Sequence, residues 1–204
     1  MQCLCINKII IDYMPKYLYN EREVVIIDIK RIWCMPNSKT FLIKPITELL
    51  YSEINQGIWL DPFANEGTLK ELIHNNTDVR IIDNDLNPTY NTDYHLDAVD
   101  FLKMFDDNSI DGVVYDPPYS LRQVSECYKN VGIPVTMETT QSSWRRKHLD
   151  EIQRVVKPNG KVFCFGWNSS GVGKTRGFEL HKILLIAHGG SHNDTIVTLE
   201  IKKE

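Results

Sequence analysis

The sequence has no apolar run approaching the about 18 residues a membrane-spanning helix needs, so no membrane partner is expected. It also has no excess of positive charge: 23 Lys and Arg stand against 27 Asp and Glu, a formal net charge of −4. That balance excludes a dedicated nucleic-acid coat protein, and any contact with DNA or RNA has to come from a local patch. There is no GxGxxG loop, so a nicotinamide cofactor is not expected. Cysteine is sparse. Cys3, Cys5, Cys34, Cys127 and Cys164 form no CxxC pair, and the Cys3–Cys5 spacing suits neither zinc nor a disulfide framework. Free thiols in a reducing, cytoplasmic setting are expected. His181, His188 and His192 fall on predicted strands and a turn, and their spacing does not converge on a metal; they are read as surface or turn residues. The opening "MQCLCINKIIIDYM" lacks the basic start and small-residue cleavage site of a secretory leader.

What is present is ordinary globular composition, with 42% apolar and 25% charged residues over 204 positions, enough for one domain with a real core. Residues 1–40 read as an irregular β-rich extension, including a strand over 22–33, and residues 41–204 as the main domain. The extension is left with three roles: extending the sheet, covering a ligand or forming a dimer contact. From residue 44 the pattern alternates. Helices are predicted over 44–54, with Pro45 near the start, 67–76, 98–105 and 142–157. Short apolar strands are predicted over 57–61, 79–83, 110–116 and 161–167, with "PNG" at 158–160 as a turn. Two longer strands close the chain, turning near Gly189 and Gly190. Such alternation implies βαβ units and a mostly parallel sheet, with an antiparallel pair toward one edge. Ligands bind such sheets at the carboxyl ends of the strands.

Those ends carry acids. "DPFANEGT" (61–68) places Asp61 before a tight turn, and Gly67 and Thr68 open a helix whose free N–H groups suit a ligand. "DNDLNP" (83–88) puts an acid some twenty residues after the loop, where a carboxylate often holds a ribose; composition does not separate Asp83 from Asp85. Asn and Asp also favour turns for their own backbone bonding. Asp97, before an apolar helical pattern, suits a helix N-cap or a ligand contact.

The fourth end is "VVYDPPYSLRQ" (113–123). Pro117 and Pro118 fix φ and remove two backbone donors, which makes a rigid elbow with free carbonyls. Asp116 adds an acceptor and Tyr119 a flat face. That set suits the exocyclic amine of a planar base, and a base in a duplex would have to be flipped out to reach it.

In order and wording the chain resembles the S-adenosylmethionine-dependent amino-methyltransferases of DNA, the N6-adenine type with its DPPY motif, in the small version carried by phages and mobile elements. "KPITELL" (44–50), "WLDPFANEGT" (59–68), "NDLNP" (84–88), "LDAVDFL" (96–102), "DNSIDGVVYDPPY" (107–119) and "RVVKPNGKVFCFGW" (154–167) carry the resemblance, which covers roughly residues 40–202. It implies a Rossmann-like class I methyltransferase fold: a seven-stranded, mostly parallel sheet with an antiparallel edge strand and helices on both faces. It implies S-adenosylmethionine as cofactor, held by Lys44, Pro45, Asp61, Phe63, Ala64, Asn65, Gly67, Thr68, Asp85, Asp97 and Ala98. Asp61, Phe63 and Gly67 would hold the methionine end, Asp85 the ribose and Asp97 the adenine. Asp116, Pro117, Pro118 and Tyr119 would be catalytic, with Asp116 and Pro117 on the N6 amine and Tyr119 stacked on the base. No metal is required, and Asp116 acts as an oriented acceptor that needs no shifted pKa.

The family's loop has a glycine where this chain has Asn65, which tolerates left-handed geometry, and Glu66 adds charge beside it. The chain also has little room for a target-recognition region. Arg145, Arg146 and Lys147, with Trp144, could lie on a phosphate backbone or form a solvated helix face. Lys174 and Arg176 lie in a glycine-rich loop that fails the GxxxxGK[ST] pattern and reads as a flexible basic loop near the site. Specificity is then short or relaxed, or comes from a second copy or another protein. The open alternatives are an N4-cytosine, RNA or nucleotide methyltransferase, or a non-catalytic cofactor-binding or partner subunit.

Overall fold

In a computed structural model of the protein, residues 26–137, 139 and 141–204 are described. The Cys3–Cys5 spacing, the reading of the opening residues, the first part of the 22–33 strand and most of the 1–40 extension lie outside the described residues.

Seven strands form one sheet: β1 (Asp28–Trp33), β2 (Gly57–Asp61), β3 (Val79–Asp83), β4 (Ile110–Tyr115), β5 (Val156–Gly166), β6 (Phe178–Ala187) and β7 (Thr195–Lys202). Their spatial order is β1-β6-β7-β5-β4-β2-β3. All pairings are parallel except those of β7, which runs antiparallel to both β5 and β6. The sheet is thus mostly parallel, as expected, and β1 adds an outer strand beside the antiparallel pair. Among the described residues five α-helices cover it: α1 (Lys44–Glu53), α2 (Thr68–Ile73), α3 (Ala98–Leu102), α4 (Leu121–Asn130) and α5 (Ser142–Val155).

The period-two alternation of the strands sorts the core into two layers. Trp59, Val114, Phe163 and Phe165 point to the layer of α1 and α2. Leu60, Val113, Tyr115, Val162 and Cys164 point to the other layer, where α5 supplies Leu149, Ile152 and Val155 and α3 supplies Phe101 and Leu102. Gly112 is needed between them, because a Cβ there would sit 2.4 Å from the Trp59 ring. Asp111 ties the start of the sheet together, accepting from the Ile58 amide at 2.8 Å and from Lys157 Nζ at 2.7 Å.

Two elements differ from expectation. The "PNG" turn does not precede β5 but lies inside it. Ile110 pairs with Val156 and Gly112 with Lys161, so the extra residues bulge out, with Asn159 at φ +64°. Helix α4 was not anticipated; it occupies part of the 120–145 stretch. Its start is a capping box, with the Ser120 hydroxyl accepting from the Gln123 amide and Gln123 Oε1 accepting from the Ser120 amide at 3.1 Å.

Candidate active site

The carboxyl ends of β2, β3 and β4 lie side by side, with Asp61 in register with Asp83. A cavity of about 370 Å³ opens at this end, in the size range of small-molecule sites. Phe63 and Asn65 line it from the loop after β2, Asp85, Leu86, Asn87 and Tyr90 from the loop after β3, and Asp116, Pro117, Pro118 and Tyr119 from the end of β4. The structure therefore brings the four predicted catalytic residues together with Phe63, Asn65 and Asp85.

The loop after β2 is held by the next strand end. The Asn65 amide donates to Asp85 Oδ2 at 2.9 Å, and the Asn87 amide donates to Asp85 Oδ1 at 2.8 Å. Asn65 adopts φ +51°, the left-handed geometry that asparagine tolerates. The Glu66 carboxylate is paired with Lys39 at 2.7 Å. Asp61 lies beneath, fully buried. Its Oδ1 accepts from the Phe63 amide at 3.3 Å and its Oδ2 has no partner among the described residues. Burial, with the charges of Asp116, Asp83 and Asp85 added, holds the Asp61 carboxyl well above the usual carboxylate range. Such a concentration of carboxyls, two of which (Asp61 and Asp83) have an oxygen with no partner among the described residues, fits a cationic ligand.

The two acids of "DND" separate here. Asp85 lines the cavity, whereas Asp83 is fully buried and structural: its Oδ1 accepts from Lys70 Nζ at 3.2 Å and from the Asp93 amide at 2.9 Å. Burial raises its pKa. Asp97 is the N-cap of α3. Its Oδ1 accepts from the Val99 amide at 3.0 Å and its Oδ2 from the Tyr128 hydroxyl at 2.5 Å, so both oxygens are engaged and the side chain lies outside the cavity lining. Ala64, Thr68 and Ala98 are buried, and Gly67 supports the turn at φ +73°. Lys44 is exposed beside Glu48, and Pro45 lines a different groove, against β1.

At the elbow, Asp116 is half-buried, and burial pushes its carboxyl up to about 6, opposed by the hydroxyls of Tyr119 and Thr40. An oriented acceptor does not need this shift; it arises because the strand end withdraws the carboxyl from water. Tyr119 is committed to the protein. Its hydroxyl donates to Asp116 Oδ1 at 2.5 Å, its amide donates to Gln123 Oε1 at 2.8 Å, and its ring meets Trp167 edge-on at 5.8 Å.

The sequence reading missed one wall. Gln123, Cys127 and Asn130 follow one face of α4 into the cavity, and Thr40 enters from the 3-10 turn at Thr40–Leu42. The S-x-x-Q capping signal at Ser120 was available to find α4. A buried aromatic cluster was also missed. Phe63 meets Tyr115, Trp144 and His148 at 5.6, 5.9 and 5.4 Å, and Tyr115 hydrogen-bonds His148 Nδ1 at 3.0 Å. Burial pushes His148 down to about 4.

The predicted nucleic-acid contacts divide. Trp144 faces inward, donating its indole N–H to the Tyr128 hydroxyl at 3.1 Å, so it is not a surface stacking residue. The Arg145 guanidinium lies 5.5 Å over the Tyr115 ring, while Arg146 and Lys147 are exposed. Arg176 pairs with Asp150 at 2.7 Å, and Lys174 and Arg176 lead into Phe178, which begins β6 at the end of the sheet away from the cavity. Glu200 pins that loop by accepting from the amides of Val172 and Gly173, so a loose basic loop beside the site is not what forms. His188 is buried rather than exposed, bonded to Thr195 Oγ1 and the Cys34 carbonyl, each at 2.9 Å. No helix among the described residues is long and apolar enough to cross a membrane.

No known protein-family profile matches the chain, and no curated protein does. Solved structures match. A SAM-dependent methyltransferase from Archaeoglobus fulgidus aligns at TM-score 0.56 and 12% identity over 78% of this chain and 92% of that one. The 1,6-didemethyltoxoflavin-N1-methyltransferase of Burkholderia thailandensis, solved with 1,6-didemethyltoxoflavin and S-adenosylhomocysteine bound, aligns at TM-score 0.56 and 12% identity over 79% and 78%. TrmN from Thermus thermophilus aligns at TM-score 0.54 and 17% identity over 79% of this chain and 49% of that one. What is common at these identities is architecture: the chain has the Rossmann-like fold of the SAM-dependent methyltransferases.

Proposed function

We propose that the chain transfers a methyl group from S-adenosylmethionine to the exocyclic amine of a flipped-out base, N6 of adenine in DNA. The observation that carries this reading is the shared cavity: Asp85 and the Phe63–Asn65 loop bound it on one side, Asp116 and Pro117 on the other. S-adenosylmethionine, when bound, supplies an electrophilic methyl on a sulfonium. Asp85 would take the ribose; each of its oxygens accepts one amide and has a lone pair left. Phe63 and Tyr90 offer apolar faces, and the surrounding carboxylates favour a cation.

At the elbow, Asp116 and the Pro117 carbonyl accept the two N–H groups of the target amine. That draws the nitrogen lone pair out of conjugation with the ring and aims it at the methyl. As the N–C bond forms and the C–S bond breaks, the nitrogen sheds one proton. Asp116, held near 6, is matched to accept it and return it to solvent. Tyr119 fixes the Asp116 carboxylate through its hydroxyl and leaves its ring beside Trp167 at the cavity wall.

The test is transfer from S-adenosylmethionine with a deuterated methyl to single-stranded DNA, duplex DNA and RNA, with nucleosides read by mass spectrometry. Labelled N6-methyladenine from DNA is expected. Labelled N4-methylcytosine corrects the base, label in RNA corrects the substrate, and no label from protein that binds the cofactor refutes the reading.

A further inference from the structure

Strand β1 ends the sheet among the described residues, so one side of its backbone has no described strand beside it. Its side chains are unusually apolar for an open edge. Ile29 and Trp33 are 59% and 63% exposed, as is Ile26 just before the strand at 73%, although β6 anchors the strand over its full length. Its charged residues are also idle: Asp28, Lys30 and Arg31 make no ion pair or side-chain hydrogen bond among the described residues. A long apolar edge with unpaired backbone is a template for another strand, and lysine or arginine on it resists indiscriminate pairing.

We infer that β1 is the dimer edge of this protein: it pairs antiparallel with β1 of a second copy, which joins two sheets into one. The charge pattern selects the occupant and the register. A two-fold axis perpendicular to the sheet keeps each face continuous, so opposed residues must be of equal parity. Centring the axis on Asp28, Lys30 or Arg31 opposes like charges directly. Centring it on Ile32 opposes Arg31 to Trp33 twice and leaves Asp28 and Lys30 with no strand residue opposite them. Centring it on Ile29 opposes, within the strand, Ile29 to Ile29 and Asp28 to Lys30 twice. That arrangement gives Asp28 and Lys30 opposite-charge partners and brings the two exposed Ile29 side chains together. The surface lies at the edge of the sheet opposite β3, which leaves the strand-end cavity free in both copies.

The test exchanges charges on the full chain, with mass read by light scattering at micromolar concentration and folding checked by circular dichroism. The unmodified chain is expected at twice its monomer mass. Asp28→Lys alone puts cations opposite each other, Lys30→Asp alone puts anions opposite each other, and each variant is expected as a monomer. An equimolar mixture of the two is expected to regain the dimer, since each copy then supplies the charge the other lacks. The double variant Asp28→Lys/Lys30→Asp is also expected to dimerise. A monomeric unmodified chain overturns the inference, as does a dimer indifferent to both single variants. A monomer whose β1 amides resist hydrogen exchange identifies residues 1–25 as the cover and overturns it too.

Discussion

Tyr119 and Asp116 are joined side chain to side chain: the phenol hydroxyl donates to Asp116 Oδ1 at 2.5 Å. The residue expected to supply a flat face therefore also orients the acceptor. A carboxylate oriented by hydroxyl donors still has lone pairs free for a substrate amine, and those bonds favour its charged form.

Removing only that hydroxyl isolates this effect. Tyr119→Phe keeps the ring and loses the donor, so the Asp116 pKa rises from about 6. The acid limb of the transfer-rate profile then moves to higher pH, and the rate near neutrality falls by roughly tenfold, the scale of one hydrogen bond to a charged group. Single-turnover rates from pH 5 to 9 measure both. An unmoved limb assigns Tyr119 to stacking alone.

The same pKa has a stability consequence. Asp116 is raised in the folded protein, from 3.8 to about 6, so its contribution to stability is full below pH 3.8 and is lost as pH rises through 6. Asp116→Asn is accordingly expected to make the free protein more stable at neutral pH, by about 1–3 kcal/mol. Urea denaturation at pH 7 checks it. A gain in stability with loss of transfer is the pattern of a functional residue held at a cost.

His148 pulls the other way. Its pKa is lowered from 6.5 to about 4, so the stability it contributes is full above 6.5 and lost as pH falls through 4. The two slopes oppose within nearly the same window. The unmodified chain should show a flatter profile between pH 4 and 6.5 than either Asp116→Asn, which loses stability on acidification, or His148→Gln, which gains it. Thermal melts across that range separate the three.

The strand-end acids give a further pair. Asp85→Ala is expected to weaken S-adenosylmethionine binding by tenfold or more, with only a modest fall in melting temperature. Asp83→Asn should destabilise by about 1–3 kcal/mol, because it disturbs the bonds of a buried carboxyl to Lys70 and the Asp93 amide, and leave affinity within a few-fold. Calorimetric titration beside a melt distinguishes binding from folding. The reverse order would move the ribose contact to Asp83.

Much of this was legible in the sequence because strong periodicity and punctuation coincide there. Strands β2, β3 and β4 are short apolar runs, each ending on or just before an acid, and their ends build the site. Prolines 117 and 118 mark the elbow without ambiguity. Helix α4 was not read because only Val124 and Tyr128 of its ten residues are buried, which leaves almost no apolar stripe. The inward turn of Trp144 and the anchoring of Arg176 were hidden for another reason: both depend on partners far along the chain, Tyr128 and Asp150. Asp83 and Asp85 differ by two positions, and only the loop after β3 decides which one meets the cavity.

The measurement that bears most directly on the central claim is the Asp116→Ala variant, assayed for cofactor affinity and for methyl transfer on the same folded sample. The account predicts affinity within a few-fold of the unmodified chain and transfer reduced by at least about 10²–10³. Transfer that survives, or affinity that collapses in a folded variant, would contradict the assignment of Asp116 to the target amine.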